Sequence, residues 1–340
     1  MRQDNCQRAR RSVLVLREHD SVWAPDAKAG VVAAAEAIHG GLEQAGYKVI
    51  PIQVESADTL LSALQLFNPA RHAVFNWFEG FETDAEDAAR VTALLDELGF
   101  TFTGADALAL RVTQNKLHTK RVLIAHGIPT PKSQPVSSDN LSAWTCYPAI
   151  VKLTSEHGSE ELTPNAVVHN EADLRARVGE LQTAGKSLMV SEFMEGREFT
   201  VSLWGNGFLE TLPLLEVDYS MCPAGLPHIR SFEAKWETAS EAYRSVKLIA
   251  PHNLCPELLN RIERVACDAY RALGLRDYGR IDIRLNGDTP YVIDVNSNPD
   301  ISSDSSFVAA AERAGYDYPA MLDRIVRLAI HRAGETAPRA

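Results

Sequence analysis

Short apolar runs alternate with helical spacings over the first third of the chain. Ser12–Leu16 reads as a strand, and Val31, Ala34, Ala35, Ile38 and Leu42 recur at the spacing of one helix face that Gly46 ends. Lys48–Val54 and His72–Asn76 read as further strands, and Asp84–Leu98 as a second helix stopped by Gly99. Strands separated in this way by helices predict a parallel, doubly wound sheet. One helix is predicted from Asp106, its N-cap, to His126, with Gly127 as its stop. The prolines at 129 and 131 make the next stretch a connector. Tyr147–Leu153 and Ser187–Glu192 read as strands on either side of a helix over Glu171–Leu181, and Arg197–Leu203 alternates as a strand. Residues 208 to 236 look mostly extended, and Pro256–Leu273 is an amphipathic helix.

The most specific pattern lies between Tyr278 and Asn298, where two alternating runs flank Asn286-Gly287, a strong hairpin signal. Ile281, Ile283 and Leu285 point one way, and Arg280, Asp282 and Arg284 the other. On the return strand Tyr291, Ile293 and Val295 are expected on the apolar face, with Asp294 and Asn296 on the polar one. Burial of the apolar side forces Asp282 onto the side that carries Asp294 and Asn296. Carboxylates on neighbouring strands repel unless a cation lies between them. A donor set of oxygens alone suits Mg²⁺ rather than zinc.

Composition narrows the partners. With 340 residues the chain has room for two or three domains, and a net charge of −11 argues against a nucleic-acid partner. The five cysteines, Cys6, Cys146, Cys222, Cys255 and Cys267, lack the spacing of a zinc site and read as reduced thiols of a cytoplasmic protein. The apolar run Val13–Leu16 after Arg8, Arg10 and Arg11 is too short for a signal peptide, and no stretch has membrane-spanning length.

Three lysines interrupt patterns that otherwise read as core or helix: Lys116 in a polar patch, Lys152 at the end of Tyr147–Lys152, and Lys235 in Phe232-Glu-Ala-Lys-Trp236. A lysine ending a buried strand ordinarily snorkels to water. Three cations from separate elements beside an oxygen-ligand metal site instead suggest phosphate clamps. The polar loop after Lys152, which contains Ser159, can cradle phosphates through its backbone N–H groups, although most such loops are plain turns. Glu192, Phe193 and Met194 could offer backbone groups to an adenine edge, and Glu198 could hold a ribose.

These motifs, in order, resemble the ATP-grasp carboxylate–amine ligases. Lys116-x-x-Thr119-Lys120, Gly127-Ile-Pro-Thr-Pro and Tyr147-Pro-Ala-Ile-Val-Lys152 look like that superfamily's central domain. Glu195-Gly-Arg-Glu-Phe-Thr-Val201, Phe232-Glu-Ala-Lys-Trp236, Gly279-Arg-Ile-Asp282 and Asp294-Val-Asn-Ser-Asn-Pro299 resemble the D-alanine–D-alanine ligase branch, and the likeness runs from Gly104 to Leu328. The resemblance implies an α/β ATP-grasp fold. An N-terminal doubly wound parallel-sheet domain (1–105) would precede central (106–205) and C-terminal (206–332) α+β domains enclosing ATP, with a tail at 333–340.

It further implies ATP and Mg²⁺, or Mn²⁺ in its place. Lys116, Lys152 and Ser159 would meet the phosphates, Glu192 to Met194 the adenine and Glu198 the ribose. Asp282, Asp294 and Asn296 would hold the metal. Lys235 would neutralise the transferring phosphate, Arg280 would stabilise the oxyanion, and Ser305 would contact a substrate carboxylate. Asp300, Ser302 and Glu79 are further substrate candidates. Dimers are common in the resembled family, and a homodimer is expected on that ground.

Departures qualify the substrate. Glu160 and Glu161 stand where the family has a small apolar residue and a glycine, Asp294 where it usually has Glu, and Asp300 where it has Gly. Arg17-Glu-His-Asp-Ser-Val-Trp23 replaces a glycine- and serine-rich loop, and Asn76-Trp-Phe-Glu-Gly80 replaces a His-Gly element. The reading is therefore a ligase that makes an amide through an acyl phosphate, from amino-acid-like substrates other than two D-alanines. The alternatives are a catalytically inactive nucleotide-binding scaffold, or a ligase joining a non-amino-acid carboxylate to an amine.

Overall fold

In the computed structural model, which describes residues 12–18, 25–78, 80, 86–155, 162–182, 185–223, 225–236 and 240–336, the β-branched and leucine-rich run at the start of the chain becomes the centre of a sheet. Strand β1 (Ser12–Glu18) lies between β2 (Val49–Val54) and β3 (His72–Asn76), with β4 (Thr101–Phe102) outside β3, and all pairings are parallel. The connecting helices are α1 (Pro25–Gln44), α2 (Ala57–Leu64) and α3 (Asp87–Glu97). The doubly wound expectation thus holds. The short α2 was not anticipated, although Ser56 and Thr59 form a capping box and Leu60 and Leu64 give it a buried face.

The helix expected over Asp106–His126 is two helices. α4 (Ala107–Gln114) and α5 (Lys116–Ala125) are separated by Asn115, whose backbone is extended. The Asn115 side chain caps α5 by accepting from the N–H groups of Leu117 and His118. The Lys116 N–H leaves the helix to donate to the Thr154 carbonyl at 2.8 Å. Apolar periodicity runs straight through this break because a tertiary bond makes it.

A second, antiparallel sheet has the order β5 (Ser133–Val136), β8 (Leu188–Glu192), β6 (Ala149–Leu153), β7 (Val167–Val168), with α6 (Glu171–Gln182) packed on one face. Ala149, Val151, Leu153, Leu188 and Val190 face that helix. The alternate positions Ile150, Lys152, Met189 and Ser191 are left on the other face.

The third sheet has the order β12 (Lys247–Ile249), β11 (Leu215–Asp218), β9 (Glu198–Gly205), β13 (Asp277–Asn286), β14 (Thr289–Asn296), and β10 (Leu209–Thr211) also pairs with β9. β9 therefore pairs with strands that follow residue 206. One face packs on α9 (Pro256–Ala272) through Phe199, Val201, Ile281, Ile283 and Leu285. Short α7 (Phe232–Trp236) closes the region read as extended and places Lys235 on a helical turn, and α8 (Glu241–Ser245) follows it.

Two details of the hairpin differ from the alternating expectation. The turn residues are Gly287 and Asp288, with Gly287 at φ 57°, and not Asn286-Gly287. A β-bulge shifts the register, so Asp282 opposes Asp294 but Ile283 opposes Val292. Val292, not Ile293 or Tyr291, joins Val295 in the core, and Ile293 is released toward the site.

Helices α10 (Ser306–Arg313) and α11 (Tyr318–Thr336) close the fold against the first sheet, with Phe307, Met321, Leu322 and Ile325 packing on Val13, Val15 and Phe75. Asp277, fully buried at φ 64°, ties the layers together. Arg332 of α11 donates to both its oxygens at 3.1 and 3.0 Å, and the Gly104 N–H donates at 2.9 Å. Arg332→Met leaves that carboxylate buried without its cation. The variant should lose about 3–5 kcal/mol of unfolding free energy in chemical denaturation.

Candidate active site

Between the polar faces of the second and third sheets lies a cleft of about 930 Å³, its solvent-open part included. Lys152 projects into it from β6, because alternation assigns positions 150 and 152 to this side. Lys116 arrives beside it because its own N–H is held by Thr154, two residues after Lys152. Glu198, Asp282, Arg284 and Asp294 come from the polar face of the third sheet, and Lys235 from α7. Glu192, Phe193 and Met194 follow β8 along the same cleft.

The two hairpin carboxylates share one side, as expected, and the shifted register sets them directly opposite each other on β13 and β14. Arg280 forks onto Asp282 through Nε at 3.0 Å and Nη2 at 3.1 Å, and Thr200 donates to Asp282 Oδ1 at 3.1 Å. Asn296 Nδ2 lies 3.5 Å from Asp282 Oδ2, the longest of these contacts. Burial alone would raise the Asp294 carboxyl. Lys116, Lys152, Lys235 and Arg280 outweigh it and hold the group below its ordinary value, so it is anionic at neutral pH.

Glu198 is buried and ion-paired with Arg284 through one of its two carboxylate oxygens. Burial would raise its carboxyl, but Arg284 and the hydrogen bond from the Tyr219 hydroxyl (2.7 Å) bring it below its ordinary value. Arg284 also donates to the Met194 carbonyl at 2.6 Å and to the His228 carbonyl. Its partners all use Glu198 Oε2. Arg284 thus orients both segments that sequence reading linked to a nucleoside, a part not assigned to it beforehand. Its place on the polar face was legible, but its partners were not.

Cations crowd the cleft. Burial and then Lys152 lower the Lys120 ammonium to about 7; it is buried and donates to Thr130 Oγ1 and the Pro131 carbonyl, both at 3.0 Å. Burial and then Arg230 and Arg280 lower Lys235 to about 8. Burial likewise lowers Lys152, against the pull of Asp294. Lys120 and Arg230 line the cleft without a role having been assigned to them from the sequence, where Lys120 appeared only within the Lys116-x-x-Thr119-Lys120 motif and Arg230 not at all.

A cleft that strains its ammonium groups invites a polyanion. At pH 8 the free protein holds Lys120 and Lys235 partly neutral, and a triphosphate restores their protons. Binding of a non-hydrolysable ATP analogue with Mg²⁺ should therefore take up roughly one proton. Calorimetry in buffers of different ionisation enthalpy measures it. Between pH 8 and 10 the unfolded chain keeps ammonium protons that the folded chain has shed. Lys120 and Lys235 thus make the ligand-free protein more stable as pH rises across that window.

The remaining sequence candidates sit outside the cleft lining. Ser305 is the N-cap of α10, accepting from the Val308 N–H at 3.4 Å. Asp300 accepts from the N–H and hydroxyl of Ser302 at 2.8 and 2.7 Å, so these two satisfy each other. Arg280 lies just behind Asp282, with Nη1 3.4 Å from Ser306 Oγ. Ser159, Glu160, Glu161 and Glu79 lie outside the described residues.

Sheet order and cleft together define an ATP-grasp fold. A D-alanine–D-alanine ligase structure from Bacillus anthracis, complexed with ATP, superimposes with a TM-score of 0.73 at 19% identity, covering 96% of this chain and 99% of that one. A second structure of that ligase gives a TM-score of 0.75 with the same coverage. The family model described as D-ala D-ala ligase C-terminus matches residues 124–327. The chain belongs to the D-Ala–D-Ala ligase family, which comprises ATP- and Mg²⁺-dependent ligases. Among its relatives, the D-alanine–D-alanine ligase of Desulforudis audaxviator is 28% identical over 306 residues, 87% of this chain and 92% of that protein. The uncharacterized protein y4sG of Sinorhizobium fredii is 29% identical over 316 residues, 88% of each chain. Among the described residues, no helix is long and apolar enough to cross a membrane.

Proposed function

We propose that this protein phosphorylates a carboxylate with ATP and joins the resulting acyl phosphate to an amine, on substrates other than a pair of D-alanines. The observation that carries it is the opposed pair Asp282 and Asp294 within one cleft that also holds Lys116, Lys152 and Lys235. Two carboxylates and an amide are too few for an all-protein cage, but they suit Mg²⁺, which keeps water and phosphate oxygens among its ligands. Bound Mg²⁺ would offset the negative charge that builds up on the phosphates during transfer. Asp282, Asp294 and Asn296 would hold it. The 3.5 Å amide contact on Asp282 is the one a cation replaces, with the Asn296 side chain turning its oxygen inward.

The chain's own groups do the positioning. The N–H groups of Glu192 and Phe193 are spent on the Lys132 and Pro148 carbonyls, and the Met194 carbonyl on Arg284. The Met194 N–H is left to meet an adenine edge, together with the Glu192 carbonyl, which takes only a long 3.5 Å bond from the Ser191 hydroxyl. Glu198 keeps Oε1 for a ribose hydroxyl. Lys116 and Lys152 grip the phosphates, and Lys235 neutralises the group in transit. Arg280, held in orientation by Asp282, supplies donors for the oxyanion of the reacting carboxyl. In-line phosphoryl transfer needs positioning and charge rather than a protein nucleophile, and the cleft provides those. The small-molecule carboxylate and amine would both enter from the first-sheet side.

Incubation with Mg²⁺-ATP and pools of amino acids and amines, read by ADP release and product mass, tests the proposal. ADP release that requires both a carboxylate and an amine supports it, and release with D-alanine alone restores the ordinary family substrate. Tight nucleotide binding without turnover in any pool would mark a silent nucleotide-binding scaffold.

A further inference from the structure

An arginine and a carboxylate ordinarily meet as a fork, with two parallel bonds that use both carboxylate oxygens. Arg284 and Glu198 do not. Arg284 Nε donates to Glu198 Oε2 at 2.8 Å, its Nη2 donates to the same oxygen, and the Tyr219 hydroxyl adds a third bond there at 2.7 Å. No described residue donates to Oε1, although Glu198 lines the cleft. A carboxylate has acceptor sites on both oxygens, and a buried one gains by filling them. The lopsided pairing therefore has to be imposed by the groups around it.

Those groups hold the guanidinium first. Its Nη1 donates to the Met194 carbonyl at 2.6 Å, its Nη2 also reaches the His228 carbonyl, and its central carbon lies 5.1 Å from the Phe193 ring centroid. Strand register then places Tyr219. Val217 of β11 opposes Glu198 of β9, so Tyr219 leaves the strand two residues beyond that pair. Its ring stacks on His228, with centroids 5.0 Å apart and planes 2° from parallel. The hydroxyl is thereby brought within 3.2 Å of Arg284 Nη2 as well as onto Glu198. With the hydroxyl there, Oε2 is held between Tyr219 and Arg284. Without it, rotation of the carboxylate would bring Oε1 onto Nη2 and complete the ordinary fork.

Resting on the ligase reading above, in which Glu198 meets the ribose, we propose that Tyr219 is a positioning residue that makes the site select a ribose over a deoxyribose. It acts through Glu198. By holding Oε2 in the Arg284 cluster it keeps Oε1 for the cleft, where only a donor satisfies it. A sugar hydroxyl is such a donor. A deoxy sugar brings a carbon–hydrogen group instead, displaces water from Oε1 and leaves the charged oxygen unpaired. When the fork closes, both oxygens belong to Arg284 and the sugar is no longer read. Tyr219, His228 and Arg284 all lie outside the motifs by which the sequence resembles its family.

Equilibrium binding tests this without requiring turnover. With Mg²⁺ present, calorimetry compares the β,γ-imido analogue of ATP with its 2′-deoxy and 3′-deoxy forms. The wild-type protein should bind the ribose form about tenfold or more tightly than at least one deoxy form. Tyr219→Phe keeps the ring and its stack on His228 and loses only the hydroxyl. It should bring that ratio to about threefold or less by weakening the ribose form. The deoxy form should bind as before, which also certifies the fold. A structural role alone would weaken all three forms alike and leave the ratio standing. That outcome overturns the inference, as does equal binding of the three forms by the wild-type protein or loss of all binding in Tyr219→Phe. Absence of any binding to the wild-type protein overturns it together with the nucleotide site. The ligase reading fails separately, when no pool of acids and amines releases ADP.

Discussion

Asp282→Asn lowers the rate of ADP release about 10²–10³-fold and leaves the protein folded. The substitution keeps the side chain's volume, and its amide oxygen can still accept from Thr200. What disappears is one of the two negative charges that face each other across β13 and β14. The amide nitrogen also turns one donor toward the Arg280 fork, which then loses its bidentate partner. Less Mg²⁺ is held at a given concentration, and Arg280 is free to leave the position from which it meets the reacting carboxyl. A titration separates the two losses. If metal affinity dominates, raising Mg²⁺ recovers part of the rate; if Arg280 orientation dominates, the deficit persists at saturation. Near-normal turnover at ordinary Mg²⁺ would remove the hairpin pair from the chemistry. Circular dichroism and the thermal midpoint show whether the fold has survived.

How much of this site could be read from the chain depends on whether local pattern or tertiary contact made each part. The polar face of the hairpin was legible because strand alternation forces Arg280, Asp282 and Arg284 together, and burial of Ile281, Ile283 and Leu285 fixes which way they point. That Asp282 and Asp294 share a side followed from this. Their direct opposition did not, because it depends on the bulge between Asp282 and Ile283. Tyr291, Ile293 and Val295 obey a period of two, and only the packing of Val292 against α9 reveals the slip. Lys152 posed the same problem in reverse. Alternation places it opposite Ala149, Val151 and Leu153, but whether it met solvent or a cleft depended on the third sheet closing over it. The break at Asn115 left no mark in hydrophobic spacing, since its cause is the Lys116–Thr154 bond. The turn carrying Lys235 has five residues, too few for a period to show. Arg230, and the parts played by Lys120 and Arg284, entered only when the cleft brought their elements together, because no sequence spacing connects these three to one another.

The same division explains why the nucleotide half of the molecule is more readable than the substrate half. Phosphates are met by strand-borne lysines, a hairpin and a backbone segment after β8, and each has a local signature. Substrate candidates come instead from the segments after β3 and β14, where neighbours are set by packing of α10 and α11. Ser305 illustrates the cost of reading such a segment alone. It matched a position that contacts a substrate carboxylate in the resembled family; here its Oγ caps α10 by accepting from the Val308 N–H, a second duty that the sequence match did not show. Asp300 and Ser302 bind each other in the same way.

Lys235→Ala should be the other severe lesion, and its pH behaviour distinguishes it from a loss of binding. Burial and the neighbouring Arg230 and Arg280 bring this ammonium to about 8, the opposite of what a simple surface lysine shows. It is kept charged near neutrality by Asp282 and Asp294, and an arriving phosphate adds to their pull. In the nucleotide-free protein its proton is lost as pH rises through 8. The wild-type kcat/KM for ATP should therefore decline above that pH, while kcat at saturation should decline only at higher pH, where the complex finally releases the proton. The alanine variant should lose about 10²–10³-fold in kcat and show neither limb, since nothing is left there to titrate. Lys235→Arg restores charge without a titrating group and should recover part of the rate with a flat basic side. A basic limb that persists in the alanine variant would assign the titration to another group, with Lys120, at about 7, the next candidate. A variant with unchanged kcat and a raised KM alone would make Lys235 a ground-state phosphate clamp rather than a group that acts in transfer.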